Sequence, residues 1–156
     1  MIIPYIERKI FERSLTSPKF FKTFARPLLY KKAGNDPERA HEIALDALNK
    51  YEGVVRKRGS GFYFPSLEVN LKGHRVIPFG TAAGLDKNGD ALVPFSFLFG
   101  FQEAGTVVVS PSLGNPRPRI AVDNLQKNLY NAQGYPSKGL DYFLEKVQAF
   151  RKKDSR

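Results

Sequence analysis

The run Gly80-Thr81-Ala82-Ala83-Gly84-Leu85-Asp86-Lys87-Asn88-Gly89 constrains this chain more than any other stretch. It follows the apolar approach Val76-Ile77-Pro78-Phe79 and precedes a helix-like stretch. A strand that ends in small residues and feeds a helix suits an α/β fold, where the loop after the strand seats ligands. Small residues leave the backbone uncovered, so a flat ligand can lie against it. Lys87 sets one cation beside that surface. The plain structural alternative is that the small residues only permit close packing and that Lys87 faces solvent near a helix start.

The flanking residues extend the same pattern. Pro78 to Ala82 reads as a first core strand, Asp90 to Phe99 as its helix despite Pro94, and Phe101 to Val109 as a second core strand. Ahead of them, Leu67 to Leu71 alternates like a half-buried strand, Lys72-Gly73 makes a turn, and Arg75-Val76-Ile77 returns. Ser110 to Arg119 is a long loop with three prolines, and Ile120 to Tyr130 reads as short strands. Ser137-Lys138-Gly139 leads into an amphipathic helix carrying Leu140, Phe143, Leu144, Val147 and Phe150.

The first part is helical. Pro4 to Arg13 reads as a helix, and Ser17-Pro18 offers an N-cap with a first-turn proline. The helix that follows runs to about Tyr30, with Pro27 kinking or ending it. Asn35-Asp36-Pro37-Glu38 starts a third helix, in which Ala40, Ile43, Ala44, Ala47, Leu48 and Tyr51 share one face until Gly53 ends it. Arg56 to Gly61 reads as a basic, glycine-rich linker. The expected organisation is a helical cap over 1–53, a linker over 54–65, and an α/β unit from 66 to 156.

With 25 basic and 15 acidic residues the formal charge is +10. Up to Lys32, eight basic residues face only Glu7 and Glu12, a surplus of six. Phe11, Leu15, Phe20, Phe21, Phe24, Leu28 and Leu29 are interleaved with them. That mixture suits an anionic membrane surface, a helical cap that buries its aromatics and solvates its lysines, or nucleic acid. There is no cysteine, so disulfides and thiolate metal sites are excluded. His41 and His74 make no metal-ligand pattern, and no metal is expected. No apolar run reaches the roughly 18 residues of a spanning helix, and no secretory signal is evident. An intracellular chain is expected.

Five blocks in order resemble the dihydroorotate dehydrogenases, flavin enzymes of pyrimidine synthesis. Ala82 to Lys87 resembles their A-A-G-x-D-K motif, and Phe99 to Val107 resembles their G-F-x-E-x-G-T-V strand. Gly114 to Arg119 resembles G-N-P-x-P-R, and Asn131 to Gly139 resembles N-R-x-G-F-N-N-x-G. Asp36 to His41 resembles the D-P-E-x-A-H helix start of the quinone-dependent class. The resemblance implies a helical cap followed by a (β/α)8 TIM barrel. Such a barrel takes about 250 residues, so this chain is expected to hold only the cap and the first two barrel strands. It would then be a fragment, a truncated product or one part of a split enzyme, inactive alone. Its open edges would pair with the remaining barrel strands, in a fuller chain or in a partner chain.

The implied reaction oxidises dihydroorotate to orotate with FMN as hydride acceptor and quinone as the final acceptor. The resemblance places Ala82, Ala83, Gly84, Lys87, Thr106 and Asn131 against the flavin. It places Lys87, Asn131, Ala132, Gln133, Gly134 and Tyr135 against the substrate. A lysine there would stabilise negative charge on reduced flavin and bind the orotate carboxylate. Thr106 is expected at the end of the second strand, its alternative role being β-branched packing. The Asn131 amide can donate and accept, which suits an imide ring, and its alternative role is to form a turn. The family's base, Ser or Cys, would lie beyond Arg156, as would the FMN phosphate loops.

The pattern departs from the family at four positions. Ala132 stands for Arg, Tyr135 for Phe, Pro136 for Asn, and Val122 for the second Arg of P-R-x-x-R, near the quinone site. The implied location is peripheral, on the cytoplasmic side of the cell membrane, with a cytoplasmic chain as the alternative. Nucleic acid is not an expected partner. The competing reading is a non-catalytic barrel fragment or binding module whose basic cap binds membrane or nucleic acid.

Overall fold

The computed structural model describes residues 2–59 and 64–154. They form two compact units, Met1–Arg58 with Pro116–Ala132, and Gly59–Asn115 with Gln133–Arg156.

In the first unit, α1 (Ile2–Thr16) ends one residue before a capping serine. The Ser17 side chain accepts from the Phe20 N–H at 3.2 Å, and Pro18 opens α2 (Pro18–Phe20) where a missing N–H costs nothing. Pro27 does not end the helix that follows. A π turn over Phe21–Ala25 precedes α3 (Arg26–Lys32), and the Arg26 N–H reaches five residues back to the Phe21 carbonyl. The wider turn accommodates a ring that would crowd a regular one. Asp36 caps α4 (Pro37–Lys50), its Oδ1 accepting from Glu38 at 2.8 Å and Arg39 at 3.3 Å. The α4 helix packs on α3, and the Tyr51 ring sits 5.0 Å from that of Phe11.

Gly53 does not end the helical region. A further helix, α5 (Glu52–Gly59), occupies the start of the expected linker, while linker residues 60–63 lie outside the described residues. The reason is burial. Val54 and Val55 are both buried, and the Glu52–Arg56 pair at 3.6 Å with three basic residues in the last turn favour the helix dipole.

The expected short strands after the proline-rich loop form an antiparallel hairpin. One arm is Ile120–Asp123 and the other is Asn128–Asn131, with Ile120 opposite Asn131. Asp123 Oδ1 closes its turn, accepting from Leu125 and Gln126 at 2.9 and 3.0 Å. The first arm packs on α4, so residues 116–132 group with the N-terminal helices and not with the rest of 66–156.

The second unit begins with β1 (Val69–Leu71) and β2 (His74–Val76), antiparallel with Val69 opposite Val76. Lys72 and Gly73 take φ of 49° and 88°, and Asn70 Oδ1 accepts from the Gly73 N–H at 2.8 Å. A βαβ unit follows: β3 (Gly80–Thr81), α6 (Leu92–Ser96) and β4 (Phe101–Gln102), with β3 and β4 parallel.

These elements are shorter than expected. Pro78 lacks a donor for a ladder, and Pro94 is tolerated only in a first turn, which moves the helix start to Leu92. Past Gln102 one more bond forms, Glu103 N–H to Thr81 carbonyl at 3.3 Å, before Ala82 turns away. The run expected to continue the second strand to Val109 therefore lies outside the sheet, with a bend at Val109. The core holds Ala91, Pro94 and Phe95, with the Phe95 and Phe99 rings edge to face at 5.7 Å. The last helix, α7 (Leu140–Asp154), packs on α6. Numbered in chain order, the two arms of the antiparallel hairpin of the first unit are β5 (Ile120–Asp123) and β6 (Asn128–Asn131).

Candidate functional site

The turn after β3 closes through the Leu85 N–H, which donates to the Ala82 carbonyl at 3.0 Å. Ala82 and Gly84 are exposed and Ala83 is half-buried. A Cβ added at Gly84 would meet no atom of the described residues within 4 Å, and its φ is not left-handed. Neither packing nor backbone geometry there requires glycine, so the bare backbone is available to a ligand.

Asp86 is 2 % exposed and organises the residues that follow. Its Oδ1 accepts from the Asp90 N–H at 2.7 Å and its Oδ2 from the Ala91 N–H at 2.8 Å. Burial pushes its carboxyl above the usual range, against the backbone N–H groups that pull it down. Lys87 projects from this clamped turn, half-buried, and its Nζ donates to Gln133 Oε1. Gln133 is a neutral acceptor, so this contact orients the ammonium without cancelling its charge.

Further bonds tie the same turn to the start of α7. Asn88 Oδ1 accepts from the Lys138 N–H at 2.9 Å. The Asp90 carboxylate meets Lys138 Nζ at 3.1 Å and the Tyr142 hydroxyl at 2.6 Å. Burial alone would raise the Asp90 carboxyl, but its bonds to Tyr142 and Lys138 hold it below the usual range. Burial likewise opposes the Lys138 charge, yet Tyr142 and Asp90 raise its ammonium.

The loop bearing Gln133, Gly134 and Tyr135 is fixed from the other side. The Asn115 N–H donates to the Gln133 carbonyl at 2.9 Å, and Gly134 takes φ +67° with its Cα against Asn115. Tyr135 holds a left-handed φ of 54° with its ring largely exposed.

The structure therefore brings Lys87 together with Gln133, next to the Ala82–Gly84 backbone. Lys87 does not simply face solvent. Thr106 is not at a strand end as expected, because β4 stops at Gln102. It is exposed in the irregular run after β4, which also removes its packing alternative. Asn131 and Ala132 belong to the other unit. Asn131 is exposed at the end of β6 and lies in a ladder, not a turn, and the Ala132 N–H donates to the Arg119 carbonyl at 2.8 Å. Asp86 and Asp90 were given no role from sequence. The legible signal was an acidic residue four to five positions before the backbone N–H groups of a helix start.

A family profile for dihydroorotate dehydrogenase matches residues 66–156, more than half of the chain and nearly all of these positions. The chain belongs to the dihydroorotate dehydrogenase family. It is 42% identical over 132 residues to the dihydroorotate dehydrogenase (quinone) of Azotobacter vinelandii, covering 83% of this chain and 37% of that protein. It is 37% identical over 134 residues to the protein of the same name from Ectopseudomonas mendocina, covering 81% and 37%. The solved structure of Eimeria tenella DHODH in complex with ferulenol is also similar. It has a TM-score of 0.57 and 36% identity over 73% of this chain and 30% of that one.

This member of the dihydroorotate dehydrogenase family thus spans a little over a third of the length of the curated relatives it matches. Its neighbours are TIM-barrel proteins, and the βαβ unit around β3 and β4 is the portion of barrel present among its described residues. Among those residues no cluster of His, Cys, Asp and Glu could hold a metal. No helix among them is long and apolar enough to cross a membrane.

Proposed function

We propose that this chain supplies one wall of the FMN and dihydroorotate site of a quinone-linked dihydroorotate dehydrogenase. The observation that carries the reading is the Lys87–Gln133 contact beside the open Ala82–Gly84 backbone. The residues fit the group. Gly84 leaves room for a planar ring at van der Waals distance, and Lys87 is a cation at the edge of that surface. When bound, FMN supplies the two-electron acceptor chemistry that converts dihydroorotate to orotate. Lys87 binds the substrate carboxylate and stabilises negative charge that develops at its edge of the site. Gln133 keeps the ammonium aimed, and Gly134 and Tyr135 continue the substrate loop. Asn131 donates to and accepts from the imide edge, and Thr106 contacts the cofactor. Ala132 supports the loop by its backbone, having no side-chain cation to offer. No residue of this chain is assigned as the base that removes the substrate proton.

The acceptor reading rests on the first unit. A cavity of about 580 Å³ there is lined by Tyr30, Asp36, Pro118, Ile120 and Val122 among others. Val122 gives that cavity an apolar wall where the family carries an arginine, so quinone would be held without that cation. We place the protein at an anionic membrane surface, through the basic and aromatic N-terminal helices, with the remaining barrel strands completing the flavin site.

The test is spectroscopic. The protein, assembled with the strands that complete the flavin site, is titrated with FMN, and dihydroorotate is then added without an acceptor. Flavin absorption that is acquired on titration and bleached by dihydroorotate supports the reading. A protein that binds neither compound is a non-catalytic module.

A further inference from the structure

The strongest charge cluster outside the proposed flavin wall lies within the first unit. Glu38, in the first turn of α4, is 7 % exposed. Arg119, the residue before β5, reaches it with the Nε–Nη2 edge of its guanidinium. Nε stands 3.1 and 3.0 Å from the two carboxylate oxygens, and Nη2 is 2.7 Å from Oε1. The two side chains are 6 % and 9 % exposed. A forked, buried contact of this type fixes both partners in one orientation. Asp36 caps the turn that carries Glu38, and the helix N-terminus favours the carboxylate. Arg117 also joins the cluster, 3.4 Å from Glu38 and bonded to Glu42, but its side chain is 44 % exposed.

What makes the pair more than a strut is its place in the register. The Arg119 carbonyl accepts the Ala132 N–H at 2.8 Å, and the next residue, Ile120, stands opposite Asn131. The backbone on both sides of Asn131 is thus indexed to the residue whose side chain is locked to α4. β6 is exposed along its whole length, so its neighbour strand is what holds it among the described residues of this unit.

We propose that Glu38 and Arg119 are positioning residues for Asn131: their buried ion pair sets β5 on the cap helix and, through the β5–β6 register, sets where the Asn131 amide stands. The inference rests on the substrate role proposed for Asn131. It adds that the cap helix controls substrate affinity through the hairpin, without touching the substrate.

Three variants and one control test it. Glu38→Gln keeps the shape and removes the charge, and Arg119→Lys keeps the charge and loses the fork. The charge-reversed double variant Glu38→Arg/Arg119→Glu restores the pair. Arg117→Ala is the control, because an exposed pair contributes little. The first readout is amide hydrogen exchange in this chain. Glu38→Gln is expected to speed exchange at Ala132 about tenfold while amides of α7 keep their rates, and Arg119→Lys is expected to give a smaller change in the same direction. The second is steady-state kinetics in the complete enzyme, where KM for dihydroorotate is expected to rise about tenfold with kcat changed less than threefold. The double variant should recover most of both effects.

Unchanged exchange at Ala132 overturns the proposal. So does a uniform rise at all amides, or a fall in kcat with KM unchanged. If the unaltered protein fails to oxidise dihydroorotate, the proposed function falls, and the exchange arm still decides whether the pair indexes the hairpin. Should Glu38→Gln fail to fold, Arg119→Lys carries the same comparison.

Discussion

Lys87 is held by a neutral amide, and that choice of partner determines what the residue can do. A carboxylate in that place would have offset the charge, whereas the Gln133 amide orients the ammonium without offsetting it. In the complete enzyme, Lys87→Ala is expected to lower turnover with dihydroorotate by about 1.5–3 kcal/mol in the transition state, the loss of one charge-assisted contact. Melting temperature should move little, because the ammonium fills no core. Steady-state kinetics beside a thermal scan checks both halves, and unchanged turnover would reject the role. Asp86 and Asp90 carry a pH prediction with opposite signs. The Asp90 carboxyl is lowered in the folded state, so its contribution to stability is present above the ordinary carboxyl range and is lost as pH falls through its folded value. The Asp86 carboxyl is raised, so its contribution is present in acid and is lost as pH rises through its folded value. Asp90→Asn should therefore flatten the loss of stability between about pH 5 and pH 3, measured as denaturant midpoint against pH. Lys87 was legible from its neighbours in sequence. Its partner was not, because Gln133 lies 46 positions away and a glutamine has no spacing signature.

Elements governed by local chemistry were legible, and those governed by partners were not. Ser17-Pro18 and Asp36-Pro37 announce helix starts because the cap and its N–H donors are neighbours in the chain. Asp36→Ala is expected to cost about 1 kcal/mol, read as a lower denaturant midpoint with unchanged slope. The same residue faces the turn bearing Glu38, so its loss should also speed exchange in the β5–β6 hairpin. By contrast, β3 and β4 end where their single partner turns away, a fact of the pairing and not of either strand's composition. The helix over Glu52–Gly59 was hidden by its glycines and basic run, and only the burial of Val54 and Val55 explains it. The substrate loop lies between these cases. Gly134 is demanded twice, by its φ of +67° and by Asn115, whose Cγ would lie 2.7 Å from an added Cβ. Gly134→Ala should therefore displace Gln133 and weaken the Lys87 contact. A rise in KM for dihydroorotate with a modest loss of stability is the expected outcome, and an unchanged KM would show that the loop does not touch substrate.

At the scale of the whole molecule, family membership was legible because five short blocks recur in order, each modest alone. The grouping of residues 116–132 with the N-terminal helices was not, since it depends on β5 packing on α4. Charge distribution was visible as composition, but its meaning depends on which aromatics remain outside. Of the expected apolar set, Phe21, Phe24 and Leu28 are exposed, and Tyr5 and Ile6 join them at 63 % and 49 %. A cation already stands over one of these rings, Lys9 Nζ 5.8 Å from the Tyr5 centroid, and half-buried rings beside them are covered too, with Arg13 at 4.8 Å from the Phe20 centroid and Arg26 at 5.0 Å from that of Tyr30. A solvated cap would bury its aromatics and leave its cations outside. Here both face outward from the same helices, which is the arrangement an anionic bilayer rewards with apolar insertion and electrostatic attraction together. The chain should therefore float with vesicles containing anionic lipid and much less with neutral ones. Salt should release it, because screening shortens the reach of surface charge to about 8 Å at physiological ionic strength and about 3 Å at 1 M. Replacing Phe21 and Phe24 with serine should weaken binding to anionic vesicles while leaving the charge untouched, which separates insertion from simple attraction. Failure to bind either vesicle would restore the solvated-cap reading. Retention on DNA through the same salt series, stronger than on vesicles, would assign the basic surface to nucleic acid instead.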